Sequence, residues 1–179
     1  MKRLPTIEEW KWLINNCKWK WDDERRGQIV TARNGNSIFL PAAGEWYDAE
    51  LHSVGSYGSC WSSSLNPNYP SDVYDVYFGS DEVDWYSGIR CHGRSVRPVS
   101  NTPQEGFVDM GNGVFWAPEN ESGYYTYDEA MTLFDKKESK EITEHELSML
   151  LAVIREPGNA ASVSCHLALQ SIYGKLTTK

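Results

Sequence analysis

IFLPAAG (residues 38–44) and GRSVRPV (residues 93–99) are the two ends of the stretch that decides the fold. Both ends combine apolar strand residues with Gly and Pro, which is typical of the structural framework of a domain. The segment between them is rich in Tyr, Ser, Asp, Trp and Gly, and residues 51–93 contain no Lys, Gln, Met or Thr. Tyr and Trp give large contact area at low entropic cost, and Ser, Gly and Asp give adaptable hydrogen bonding. The composition therefore predicts a binding surface.

The composition of the 179-residue chain is that of a folded domain, with 40% hydrophobic and 13% aromatic residues. A net charge of -8 argues against nucleic acid as a partner, because phosphate binding needs clustered Lys and Arg. No apolar run approaches the length of a membrane span, so no membrane insertion is expected. MKRLPTIEEW at the N-terminus lacks the apolar region of a signal peptide. We therefore expect either a protein not exported by that route or a piece of a longer chain.

Local patterns predict most of the helices and strands. Thr6 and Glu9 form a capping-box pattern before a helix that ends at Asn15-Asn16, and Asn34-Gly35 is a hairpin signal. Strands are expected at residues 18–21, 28–33, 37–41, 73–78, 83–86 and 95–99, and a hairpin at 107–110 and 114–117. Residues 44–70 are expected to be mostly loop, held down by Trp61. Further helices are expected at residues 127–137, 143–155 and 163–173.

Five blocks carry a resemblance to a known family: LPTIEEW, NGNSIFLPAAG, GSYGSCWSSS, VDW and GRSVRPV. In this order, over residues 3–99, they resemble the Fibrobacter-type major paralogous domain of gut bacterial surface proteins. The resemblance implies an α+β, C-type lectin-like fold of the branch shared with formylglycine-generating enzymes. Such a fold has small antiparallel sheets, two or more helices and long irregular loops.

The region after the last block resembles the segment that normally begins such a domain. FVDMGNGVFWAPEN (residues 107–120) and YYTYDEAM (residues 124–131) carry this likeness. We therefore expect a core at residues 1–99, a linker at 100–106, and a segment at 107–156 that completes the fold in permuted order. Because residues 142–151 echo residues 5–14, a truncated second module is the alternative. Residues 157–179 are expected to be a tail with a short helix.

A narrower resemblance is to the variable proteins of diversity-generating retroelements, in which adenine-directed copying errors diversify AAY codons. Such codons reach Tyr, Ser, Asp, Gly, His, Cys and Ile, but never Lys, Gln, Glu, Met or Trp. The resemblance implies a ligand-binding variable face made of Tyr57, Ser59, Cys60, Asp75, Tyr77, Gly79, Asp81, Asp84, Tyr86, Ser87, Ile89, Cys91 and His92. Trp61, Trp85 and Arg90 are expected to be its scaffold, although Trp85 could equally be an aromatic anchor beside Tyr57, Tyr77 and Tyr86. Glu82 departs from the pattern, and an ordinary polar loop is the alternative.

No residue pattern supports an enzyme, a metal site or a cofactor. The four His have no metal-ligand spacing, and the paired Cys of formylglycine-generating enzymes are not matched. Asp84-Trp85 is only a fragment of the calcium motifs of C-type lectins, and Asp81 to Asp84 is expected to be a solvated turn. The four Cys are expected to be unpaired, with a Cys60–Cys91 disulfide left open.

These expectations describe a receptor-binding module displayed on a phage or bacterial surface. Its partner would be a protein or another cell-surface ligand. The alternative is a fixed surface adhesin or glycan-binding module without diversification.

Overall fold

The first helix and the first sheet form as the local patterns predict. The computed structural model describes residues 1–134, and its first helix is α1 (Ile7–Asn16). The Thr6 hydroxyl accepts from the backbone N–H of Glu9, and the Glu9 carboxylate accepts from the N–H of Thr6, so the predicted capping box is confirmed. Ile7, Trp10 and Leu13 lie on the buried side of the helix.

The sheet after α1 is antiparallel and three-stranded, in the order β1 (Lys18–Asp22), β2 (Gly27–Thr31) and β3 (Ser37–Pro41). The β2–β3 turn contains Asn34-Gly35, and Gly35 has a φ of 88°, which L side chains rarely adopt. The predicted strands and hairpin are confirmed.

The prediction of a loop over residues 44–70 is wrong for much of that range. It contains β4 (Glu45–Tyr47), β5 (Glu50–His52) and the eight-residue strand β6 (Gly58–Leu65). The sequence of β6, GSCWSSSL, has little β propensity, but its first five residues are buried. Tertiary packing therefore decides its conformation, as often happens in sheets.

A second antiparallel sheet has the order β6, β7 (Asp72–Phe78) and β8 (Val83–Ile89). The strands predicted at 73–78 and 83–86 are confirmed, and β8 extends three residues further. Helix α1 contacts all three strands.

The last strands are short and form a third sheet. Its order is β10 (Val108–Asp109), β11 (Phe115–Trp116) and β9 (Val99–Ser100). The predicted hairpin of β10 and β11 therefore pairs with β9, which begins at the last residue of the GRSVRPV segment. The strand expected at 95–99 is only partly formed, with one bridge from Ser95 to Cys60 before β9 begins. Arg3 and Val99 exchange backbone hydrogen bonds of 2.9 Å, which joins the start of the chain to β9.

The hairpin of β10 and β11 contributes to the main core. Trp116 is fully buried, and its ring lies edge-on to Trp10 with centroids 4.7 Å apart. The buried Arg97 guanidinium donates to the carbonyls of Phe39 and Ala117 and to the side chain of Asn120. Arg97 therefore ties this hairpin to β3.

The second helix, α2 (Tyr127–Thr132), ends earlier than predicted within the described residues. Tyr127 and Ala130 are buried and pack with Trp61 in a second apolar cluster. Residues 1–134 belong to one compact unit. The helices predicted at 143–155 and 163–173, and the tail, lie outside the described residues.

The fold is thus mixed α+β with small antiparallel sheets and two helices within residues 1–134. No helix there is long and apolar enough to cross a membrane.

Candidate functional site

The register of the second sheet places several predicted contact residues on one side. Tyr77 is paired with Asp84 and with Ser59, and Asp75 is paired with Tyr86. Residues directly opposite each other in an antiparallel ladder point to the same side of the sheet. The other side carries Cys60, Val76 and Phe78, which belong to the main core.

Four side chains on this outer side form what we call the tyrosine face: Tyr57, Tyr77, Asp84 and Tyr86. Tyr57 immediately precedes β6, and its side chain interacts with Glu45, Arg94 and Asp75 on this side. Burial together with a hydrogen bond to Glu45 raises its pKa. Tyr86 is 66% exposed, and Asp84 is also exposed. The turn between β7 and β8 adds Gly79 and the exposed Asp81 at one end. These predicted residues are therefore brought together on one surface.

Three predicted contact residues do not reach the surface. Ser59, Cys60 and Asp75 are at most 2% exposed. Cys60 points into the core, where burial raises the pKa of its thiol to about 12. Ser59 and Asp75 lie beneath the tyrosine face, where the Ser59 hydroxyl donates to the Asp75 carboxylate at 2.8 Å.

The carboxylate of Asp75 belongs to a buried ionic network centred on Arg94, a residue that sequence analysis missed. Nη1 of Arg94 lies 2.5 Å from Oδ2 of Asp75, and Nε donates to Glu45 at 3.2 Å. The guanidinium also lies 4.5 Å from the ring centroid of Trp61. Burial raises the pKa of Asp75, and the contacts with Arg94 and Ser59 oppose that shift. A Cβ at Gly88 would lie 2.3 Å from Nη2 of Arg94, so the network needs glycine there.

Two of the three predicted scaffold residues connect the sheet to α2. Trp61 is fully buried, and its indole N–H donates to the carbonyl of Tyr125 at 2.7 Å. Arg90 forms an ion pair with Asp128 and lies over the ring of Tyr127. Both contacts hold one end of the second sheet against the second apolar cluster.

Trp85 lies on the opposite side of the sheet from Tyr86, as strand alternation requires. It packs edge-on against Tyr74 and under the ammonium group of Lys11, which is 4.1 Å from its ring. These contacts agree with the scaffold interpretation of Trp85, but the residue is 40% exposed, so both interpretations remain predictions. Ser87 and Ile89 share that side, and Ser87 accepts a hydrogen bond from Asn66.

His92, one of the predicted residues after β8, meets a second group of side chains, in which sequence analysis missed Tyr47 and Glu45. The rings of His52 and His92 both stack on Tyr47, with centroids 3.8 Å and 5.3 Å away. Nδ1 of His92 lies 3.7 Å from Oε2 of Glu45, which links this group to the Arg94 network. Cys91 is exposed and free. Spacing alone gave no signal for Tyr47 or Glu45, because strand pairing of β4 with β5 positions them.

The cysteines and carboxylates show no further grouping in the part of the chain that the structure describes. Cys17, Cys60 and Cys91 are all free, and no three His, Cys, Asp or Glu side chains of residues 1–134 are placed to hold a metal ion.

Comparison with known proteins gives no match to any family model and no significant match to a curated protein or solved structure.

Proposed function

We propose that the chain is a C-type lectin-like module that binds a protein or another cell-surface ligand through its loop face, about residues 45–92. The observation that carries the proposal is the sheet register, which gathers Tyr77, Asp84 and Tyr86 on the side facing away from the main core. Tyrosine combines apolar area, a hydroxyl group and few rotatable bonds, which suits contact surfaces. The resemblance of residues 3–99 to surface-displayed domains agrees with a role on a bacterial or phage surface.

We further propose that a retroelement diversifies this face. The exposed Asp81, Asp84 and Tyr86 are all residues that AAY codons can reach, and so is the half-buried Tyr77. Trp61, which such codons cannot reach, is buried beneath the same side of the sheet. Residues that could vary without disturbing the core therefore lie on the same side of the sheet as a buried residue that could not.

A fixed adhesin site is the second candidate, and the Arg94 network favours it. Replacing Asp75 by a random residue would leave the guanidinium of Arg94 buried without one of its two carboxylates. A buried charge that loses its partner is strongly destabilising. Under this alternative, the residues around Asp75 are constant among related proteins, and the ligand is the same for all of them.

A cell-binding assay tests the binding face with a closely matched control. The purified, fluorescently labelled chain is incubated with a panel of bacterial strains and measured by flow cytometry. Tyr86→Ala should weaken binding about 30-fold, which corresponds to about 2 kcal/mol for a central contact residue. Tyr69→Ala is the control for the tyrosine face, because Tyr69 is 62% exposed but lies outside that set of side chains, in the loop between β6 and β7. Binding that survives Tyr86→Ala, or that both variants weaken equally, would contradict the proposed face.

A further inference from the structure

The segment that carries the tyrosine face is strongly acidic. Residues 44–94 contain eight Asp and Glu but only two Arg, and the whole chain has no Lys between Lys20 and Lys136. Three of the carboxylates, those of Asp81, Glu82 and Asp84, are exposed at the β7–β8 turn and the start of β8. Asp84 belongs to the tyrosine face, and the Tyr77 hydroxyl donates to Glu82 at 3.4 Å, so Glu82 borders the face.

Neither arginine of the segment offsets this charge at the face. The side chain of Arg94 is 8% exposed and already contacts two carboxylates. Arg90 is paired with Asp128 of α2. These two arginines therefore do not neutralise the negative charge at the face, and such a charge would favour a positively charged partner.

A buried oxygen beneath the face lacks a hydrogen-bond donor. Asp75 is 2% exposed, and its Oδ1 has no hydrogen-bond partner among the described residues. An unsatisfied buried acceptor is costly, and more so when it carries charge. Tyr86 lies directly opposite Asp75 in the ladder, on the same side of the sheet. The side chain of Asp75 therefore lies on the same side of the sheet as the tyrosine face, beneath its surface.

We propose that the tyrosine face binds a lysine or arginine side chain presented by a basic segment of a partner protein. The cationic head lies against the exposed carboxylate of Asp84, and its aliphatic stem packs along the rings of Tyr77 and Tyr86. Aromatic rings attract cations through their faces, and carboxylates attract them by charge. This inference rests on the proposed binding function and names the chemistry of the partner.

A random peptide library displayed on yeast and selected against the purified 179-residue chain tests this inference. Enriched peptides should be rich in Lys and Arg, and their binding should weaken as NaCl increases from low to high concentration. Because the chain carries a net charge of -8, basic peptides could also bind without using the face. Variants that remove one negative charge from different surfaces separate the two cases.

Glu82→Gln and Glu8→Gln are the matched pair, since both change the net charge equally. Glu82 borders the face, whereas Glu8 is exposed on α1 and pairs with Lys11. Asp84→Asn is the second face variant, and its amide oxygen can keep the hydrogen bond that Asp84 accepts from the N–H of Trp85. We expect Asp84→Asn to weaken the selected peptides about tenfold, Glu82→Gln to weaken them less, and Glu8→Gln to leave them unchanged.

Two results would overturn the inference in distinguishable ways. Enriched peptides that are acidic or uncharged, and that still lose binding with Tyr86→Ala, would exclude a cationic partner and leave the binding face intact. No enrichment, or enrichment that is insensitive to both Asp84→Asn and Tyr86→Ala, would reject the cationic partner together with the proposed face.

Discussion

Replacing Arg94 by Met should destabilise the domain by about 3–5 kcal/mol, which is the usual cost of removing one partner of a buried ion pair. The side chain of Arg94 is 8% exposed, and those of Asp75 and Glu45 are 3% and 15% exposed. Without the guanidinium, Asp75 keeps only the hydrogen bond from Ser59. Met preserves much of the contact with Trp61, so the loss is chiefly one of charge compensation. Urea unfolding, followed by tryptophan fluorescence at pH 7, measures the change.

The cost of Arg94→Met should depend on pH. Burial raises the pKa of Asp75 in the native chain, and removing Arg94 takes away an interaction that opposes this shift. A carboxyl group with a raised folded pKa contributes most stability below its unfolded pKa of about 3.9, and that contribution is lost as pH rises through the folded pKa. The variant should therefore be closer to wild type near pH 4 than at pH 7.

The double variant Asp75→Asn/Arg94→Met supplies a control for the charge argument. Because Asn cannot ionise, the double variant should recover part of the stability that the single Arg94→Met loses. Arg33→Met is the control for a non-specific effect of losing one arginine, because Arg33 is exposed. This variant should change the free energy of unfolding by less than about 1 kcal/mol. A loss below about 1 kcal/mol for Arg94→Met, or strictly additive effects with Asp75→Asn, would refute the network.

Two further predictions concern the hairpin and the cysteines. Trp116→Ala should cost about 3–5 kcal/mol in urea unfolding, because Trp116 is fully buried; a loss below about 1 kcal/mol would mean that residues 107–117 do not complete the core. With a thiol-alkylating reagent under native conditions, Cys91 should react quickly because it is exposed, whereas Cys60 should react only after unfolding. Mass spectrometry of the labelled peptides measures both rates, and fast labelling of Cys60 would contradict its burial.

Local signals predicted the parts of the fold that depend on neighbouring residues. The Thr6–Glu9 capping box and the Asn34-Gly35 turn each involve only a few adjacent positions, and both form as predicted. The alternation in VYDVYF also predicted β7. Strand β6 was missed because its Ser-rich sequence has little β propensity, and it is held in place by β7 and by residues from both ends of the domain.

The candidate site was predictable in its surface positions and not in its buried ones. Tyr77, Asp84 and Tyr86 belong to alternating strands, so their common side follows once the register is known. The same alternation separates Trp85 from Tyr86, which the prediction of both as aromatic anchors overlooked. The burial of Asp75 could not be predicted, because it depends on Arg94, which tertiary packing brings against the sheet.

Sequencing the DNA that flanks the gene tests the central proposal most directly. We expect a near-copy of the segment that encodes residues 44–99, differing from it only at adenines of the copy. The differences should fall on codons of the tyrosine face, such as those of Tyr77, Asp84 and Tyr86, and should spare Trp61 and Glu82. The absence of such a copy, or differences that fall mainly on codons of the buried core, would contradict diversification and leave a fixed adhesin site as the function to test.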